Sequence, residues 1–145
     1  MKPKSFDYLK VFSAEEAVAA LAQSGEDARI IAGGLSLMPM LNFRLAEPKI
    51  LIDISKVEAL SYIKETGNYI EIGAATRQGD LMKWDGLEKF LPLVAAACPY
   101  IGHYQTRSKG TVCGSLVHAD PSSELPLCLA VLGGEVDLQS SNGKR

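Results

Sequence analysis

The chain has little that would mark a disulfide-rich, metal-binding or nucleic-acid-binding protein. Its 145 residues include only three cysteines, an odd number at wide spacing that fits neither a disulfide framework nor a Cys-x-x-Cys metal site. An iron–sulfur cluster needs about four cysteine ligands, so these three cysteines cannot hold one. Fifteen basic and 17 acidic residues leave a net charge of −2, which argues against nucleic acid or an anionic membrane as a partner.

Long apolar runs and the common nucleotide-binding motifs are also missing. Pro92 and Pro99 interrupt the apolar stretch 91–101, and no apolar signal segment opens the chain, so we expect a cytoplasmic protein that does not insert into a membrane. Neither Gly-x-Gly-x-x-Gly nor the P-loop pattern occurs, which argues against a Rossmann or NTPase fold. At 47% hydrophobic residues, the chain can still bury a core of ordinary domain size.

Hydrophobic periodicity predicts a βαβ-like unit in the first third of the chain. Strands are predicted at 6–9, 29–32 and 50–54. Ser13 and Glu16 form a capping box that opens a helix between the first two strands. Ser36 is predicted to cap a second helix that carries Pro39 in its first turn. The first helix has one apolar face, made of Ala14, Ala17, Val18 and Leu21.

The remaining sequence alternates helical patterns with turn signals, so the predicted fold is mixed α and β. A β-hairpin is predicted at 62–72, and the later elements are helices at 78–84, 91–97 and 122–132 and a strand at 135–139. The segment 101–116 is punctuated by glycine and hydroxyl residues and predicts a loop. A turn signal at 141–143 has no second strand after it, which predicts a chain cut short at its C-terminus.

Two glycine-containing loops, at 30–39 and 101–116, are the strongest functional signal. Glycine lets backbone N–H groups approach a phosphate closely, and a turn into a helix start favours anions. A plain strand-to-helix turn is the simpler interpretation of Gly33-Gly34 taken alone. Two such loops in one chain favour a dinucleotide.

Taken in order, these loops resemble the FAD-binding subunit of the molybdenum hydroxylases, the family of xanthine dehydrogenase and of the medium subunit of aerobic carbon monoxide dehydrogenase. The resemblance covers essentially the whole chain. It is carried by Ala32 to Pro39 followed by Arg44, by Ile72 to Thr76, by Arg107 to Ser115, by Ala119 to Pro121 and by Glu124 to Pro126.

The resemblance implies an α+β fold, a two-lobed FAD-binding domain of the PCMH type, related to vanillyl-alcohol oxidase. Residues 1–58 would form the βαβ-like N-terminal lobe, and residues 59–145 the first part of an incomplete second lobe. The implied cofactor is FAD, and the implied partners are a molybdenum-cofactor large subunit and a [2Fe-2S] small subunit. Electrons would pass from the partner clusters through FAD to an acceptor.

The resemblance also implies a set of cofactor-binding residues, but no catalytic residue and no metal ligand, because the flavin carries the chemistry. The set consists of Ile30, Ile31, Ala32, Gly33, Gly34, Leu35, Ser36, Leu37, Ile101, Gly110, Thr111, Val112, Cys113, Gly114, Ser115, Asp120 and Glu124.

Several of these residues have a second interpretation. Cys113 stands where the family commonly has glycine, and its thiol is either a redox group or, as we favour, a small buried apolar residue. Glu124 either accepts a hydrogen bond from a flavin hydroxyl or complements a helix dipole. Asp120 also fits an Asx turn before Pro121.

Other residue patterns and functions are less well supported. Ser115, His118 and Asp120 lie too close together in sequence for a hydrolase triad. His103 and His118 have no further ligands at metal spacing. Two other functions stay open: a self-contained flavin oxidase of the vanillyl-alcohol-oxidase type, which needs its own substrate pocket, and a non-catalytic fragment that docks to partner subunits.

Overall fold

A parallel three-stranded sheet organises the first third of the computed structural model, which describes residues 1–145. The strands β1 (Asp7–Lys10), β2 (Ala28–Ile31) and β3 (Ile50–Asp53) lie in the order β1-β3-β2. Ile52 of the central strand lies opposite both Leu9 and Ile30. The predicted βαβ-like unit is confirmed, with strand boundaries within one residue of the prediction.

Helix α1 (Ala14–Ser24) covers one face of this sheet and begins as its sequence predicts. The Ser13 hydroxyl accepts a hydrogen bond from the Glu16 N–H at 3.1 Å. The Glu16 carboxylate accepts one from the Phe12 N–H at 2.8 Å, one residue further back than in the standard capping box. Ala17 is buried in a cluster with Ile52 and other residues between positions 11 and 57.

The hairpin is also confirmed, with antiparallel strands β4 (Ile63–Thr66) and β5 (Tyr69–Ile72). The other helices are short, and the three whose ranges were predicted, at 78–84, 91–97 and 122–132, are shorter than predicted. The full set is α2 (Leu37–Asn42), α3 (Gln78–Leu81), α4 (Leu87–Phe90), α5 (Pro92–Ala97), α6 (Tyr104–Lys109), α7 (Val112–His118) and α8 (Glu124–Val131). Single 3₁₀ turns occur at Gly25–Asp27, Glu58–Leu60 and Cys98–Tyr100.

Local chemistry explains two of the shortened helices. Leu91 does not join α5, because a residue before proline avoids the helical region, and its φ and ψ are −131° and 56°. The predicted helix 122–132 begins at Glu124, because the Asp120 carboxylate accepts hydrogen bonds from both the N–H and the hydroxyl of Ser122. The predicted helix 78–84 ends at Leu81 and continues only as turns.

The prediction of a loop over residues 101–116 is wrong for most of that segment, which forms α6 and α7. Thr111 caps α7 by accepting a hydrogen bond from the Gly114 N–H at 3.1 Å. Val112 is buried in a second hydrophobic cluster, which gathers residues between 81 and 128. Packing therefore overrides the low helix propensity of the glycine and hydroxyl residues.

The predicted strand 135–139 is also wrong, since only Gln139–Ser140 forms a strand, β6. The turn that follows it does have a second strand, β7 (Gly143–Lys144), and Leu138 and Arg145 exchange backbone hydrogen bonds of 2.8 and 2.9 Å. This hairpin returns to the first third of the chain and lies beside Val18 and Leu21 of α1.

None of the helices combines the length and apolar composition needed to cross a membrane.

One buried carboxylate lies at the carboxyl end of the sheet. Asp53 is 7% exposed and accepts hydrogen bonds from the Tyr8 hydroxyl and, at 2.8 Å, from the Ser55 N–H. Burial alone would raise the pKa of Asp53, but the hydrogen bonds from Tyr8 and Ser55 and the charge of Lys10 together lower it. The same contact raises the pKa of Tyr8.

We expect Tyr8→Phe to lower the free energy of unfolding by about 1 kcal/mol at pH 7. Because the folded-state pKa of Asp53 is lowered, the stabilisation is fully present above its ordinary value of 3.8 and is lost as the pH falls through the folded-state pKa. The difference between the two proteins should therefore shrink below that value. Urea unfolding at several pH values measures it.

Tyr69→Phe is the matched control, because Tyr69 is exposed and its hydroxyl has no partner in the chain. It should change the free energy of unfolding by less than about 0.5 kcal/mol. A Tyr8→Phe effect independent of pH between 7 and 3 would contradict the role given to Asp53.

Candidate functional site

The loop after β2 presents an uninterrupted row of free backbone donors. None of the N–H groups from Ala32 to Ser36 donates to another group of the chain. Gly34 has φ +74°, a left-handed conformation that glycine adopts without steric cost. Successive N–H groups in such a turn form a concave anion-binding surface. The donors are thus available for an anion, and their residues are half-buried except for the exposed Leu35.

Ser36 does not cap α2, so that expectation is wrong. Its φ and ψ are helical, −93° and −43°, and its side chain makes no capping hydrogen bond. The first turn is closed instead by the backbone, because the Met38 N–H donates to the Gly34 carbonyl at 2.9 Å. The Ser36 hydroxyl is therefore free for a ligand, and Pro39 occupies the first turn as predicted.

The structure brings the two predicted loops into direct backbone contact. A methyl group added at Gly33 would lie 2.2 Å from the carbonyl oxygen of Lys109 and 2.7 Å from the Cα of Gly110. Gly110 is itself packed, with the Thr106 carbonyl and the buried Gln78 amide on its other side. Gly33 is therefore needed for the approach of the second loop, whatever else it contacts.

In the second loop, most polar groups are already engaged within the chain. The Val112 N–H donates to the Thr76 carbonyl at 3.0 Å, and Thr111 caps α7 through the Gly114 N–H. Ser115 and Ser123 share a hydrogen bond of 3.1 Å between their hydroxyls. The first loop consequently supplies the larger set of free donors, and the second forms its neighbouring wall.

Cys113 anchors α7 to the end of the hairpin. Its sulfur lies 3.5 Å from the Ile72 carbonyl oxygen and 3.7 Å from that of Gly73. Burial raises the pKa of the Cys113 thiol. Burial likewise raises the thiol pKa of Cys98 and Cys128. A protonated, hydrogen-bonded thiol favours the small buried residue over the redox group.

The apolar residues of the predicted set differ in burial. Ile30 and Ala32 pack on the first hydrophobic cluster, and Ile101 and Val112 are buried in the second. Ile31 and Leu37 are half-buried, and Leu35 is exposed.

The Asx-turn interpretation of Asp120 is confirmed by its bonds to Ser122, which also lower its pKa. Glu124 lies in the first turn of α8, where its charge complements the helix dipole.

Arg107 has a structural role that sequence reasoning did not assign. Its guanidinium donates to the carbonyls of Ile101 and Gly102 at 2.8 and 2.9 Å. It therefore fixes the turn that contains Ile101 against α6. The sequence contained no signal for this role, because it does not show which carbonyls lack a partner after folding.

Residues 4–145 match the family described as the FAD binding domain in molybdopterin dehydrogenase. The chain belongs to this family, which confirms the resemblance seen in the two loops.

Known proteins support the same assignment. The chain is 46% identical to the 6-hydroxypseudooxynicotine dehydrogenase complex subunit alpha of Paenarthrobacter nicotinovorans, over 100% of this chain and 49% of that protein. It is 39% identical to the nicotine 6-hydroxylase medium subunit of the same organism, over 100% of this chain and 51% of that protein. The chain spans about half the length of these curated relatives.

The fold is also similar to that of a solved structure. A chain of reconstituted CO dehydrogenase from Oligotropha carboxidovorans superposes with a TM-score of 0.97 at 39% identity, over 100% of this chain and 51% of that one.

We expect Gly33→Ala to lower the free energy of unfolding by about 1–3 kcal/mol, because the new methyl group would collide with the backbone of Lys109 and Gly110. Urea unfolding measures the change. Ser36→Ala, in the same loop and without a hydrogen bond to lose, should stay within about 0.5 kcal/mol of the unaltered chain. Equal stability of all three proteins would show that the loops are not in close contact.

We expect iodoacetamide to alkylate Cys113 at pH 8 about tenfold more slowly than a small free thiol, because only the thiolate reacts. Burial raises the pKa of this thiol above the ordinary 9.0, so the rate should keep rising with pH beyond that value. Peptide mapping after timed alkylation locates the label, and the urea-unfolded chain is the control. Rapid labelling of Cys113 at pH 7 would instead support a redox-active thiol.

Proposed function

We propose that this chain binds FAD as part of the electron-transfer subunit of a molybdenum hydroxylase. The observation that carries the proposal is the row of free N–H groups from Ala32 to Ser36, held against the backbone of Lys109 and Gly110. A dinucleotide carries a pyrophosphate, which such donors bind well. Because the chain belongs to a FAD-binding family, FAD is the dinucleotide we propose.

We further propose the PCMH-type arrangement of two lobes, 1–58 and 59–145. The two hydrophobic clusters support it, because one uses residues 11–57 and the other residues 81–128. The pyrophosphate would lie where the two lobes meet, as the contact at Gly33 suggests.

The proposed binding residues have different tasks. The N–H groups of Ala32 to Ser36 and the Ser36 hydroxyl would donate to the pyrophosphate. The turn at Ile101, held by Arg107, would lie beside the flavin, with the buried Ile101 side chain supporting it from within the second cluster. Glu124 would accept a hydrogen bond from a cofactor hydroxyl. FAD itself supplies the redox chemistry, and the chain contributes position and exclusion of water.

The proposed partners follow from the relatives, whose names describe subunits of dehydrogenase and hydroxylase complexes. Electrons would arrive from the [2Fe-2S] clusters of a small subunit, fed by a molybdenum-cofactor large subunit, and leave FAD for an acceptor. Because the relatives carry different substrate names, the domain they share is better suited to electron transfer than to substrate choice. This favours a subunit over a self-contained flavin oxidase. The cytoplasmic location is still a prediction from the sequence.

We expect Ser36→Ala to weaken FAD binding about three- to tenfold, the loss typical of one hydrogen bond to a charged group. The stability of the chain should not change, because the Ser36 hydroxyl has no partner within it. Titration of FAD followed by flavin fluorescence gives the affinity, and urea unfolding gives the stability.

Thr111→Ala is the contrasting variant, since the Thr111 side chain is a helix cap. It should lower the free energy of unfolding by about 1 kcal/mol, and it should affect FAD binding less than Ser36→Ala does in folded protein. Absence of FAD binding by the unaltered chain, or full retention by Ser36→Ala, would contradict the proposed site.

A further inference from the structure

Lys109 lies at the point where the second loop touches the first. Its carbonyl oxygen would be 2.2 Å from a methyl group on Gly33, and its carbonyl carbon 2.9 Å. The Lys109 backbone is thus packed directly against the loop with the free N–H groups. A lysine side chain is a flexible four-carbon stem, long enough to carry its ammonium from this backbone to a ligand bound by those groups.

The Lys109 ammonium forms no ion pair within the chain. The three ion pairs join Lys4 to Glu47, Lys49 to Asp27, and Lys64 to Glu71. Lys109 is in none of them, and it is exposed.

Two neighbouring arginines are engaged elsewhere. Arg107, two residues earlier, directs its guanidinium to the carbonyls of Ile101 and Gly102. Arg29, on the strand that leads to the first loop, donates to the carbonyls of Glu26 and Ala28. Backbone N–H groups supply partial positive charge and geometry for a phosphate, but no net charge. A pyrophosphate diester carries two negative charges, so a free cation at its edge completes the match.

We propose that Lys109 is the ionic partner of the dinucleotide pyrophosphate. The inference rests on the proposed function and adds to it a residue that the motif does not single out. The N–H row positions the phosphates, and the Lys109 ammonium balances their charge. The contribution is therefore confined to ligands that carry phosphate, and salt weakens it.

The test uses Lys109→Met, which keeps the apolar stem, and Lys109→Arg, which keeps the charge. Lys83→Met is the matched control, because Lys83 is also exposed and unpaired but lines a different groove with Trp84. Calorimetric titrations with FAD, ADP and riboflavin are run at low and high sodium chloride.

We expect Lys109→Met to weaken FAD and ADP binding about three- to tenfold at low salt, with the difference shrinking at high salt. Lys109→Arg and Lys83→Met should stay within about twofold, and riboflavin, which has no phosphate, should bind all variants equally. Unchanged FAD affinity in Lys109→Met would overturn the assignment of Lys109 while leaving the proposed function intact. If the unaltered chain bound neither FAD nor ADP, the proposed function itself would fail.

Discussion

The contact between Gly33 and the backbone of Lys109 and Gly110 is the constraint on which the candidate site depends. It joins the turn after β2 to the turn between α6 and α7, with no side chain between them. The row of N–H groups gains its neighbouring wall only through this approach. The buried residues of one cluster lie between positions 11 and 57 and those of the other between 81 and 128, and the candidate site takes residues from both segments.

Sequence reasoning succeeded where the determinants are local. Ser13 and Glu16 specified the start of α1, and turn residues specified the hairpin. It failed where packing decides, as in α6 and α7, whose glycine and hydroxyl residues read as loop. Two boundary errors had local signals that were overlooked: the restriction on Leu91 before Pro92, and the Asx turn of Asp120 that captures Ser122. Both are ordinary capping and proline effects.

For the candidate site, too, sequence reasoning succeeded with local features and failed with those that depend on folding. The motif located both loops, because glycine spacing is visible in the sequence. It could not show that Thr111 and Gly114 satisfy each other, or that Ser36 is left free. Those facts depend on which N–H groups find partners after folding. Thr111 and Ser36 therefore look alike in sequence and differ in the structure: Thr111 caps a helix, and Ser36 makes no capping hydrogen bond.

The distance in sequence between Gly33 and Gly110 also bears on the order of events during folding. Contacts between remote parts of a chain form late, because the entropy of closing a long loop must be overcome before they stabilise anything. The sheet and the hairpin are made of nearer neighbours and can form first. The contact at Gly33 thus forms only in a nearly native chain, and a cofactor that needs both loops would bind at that stage.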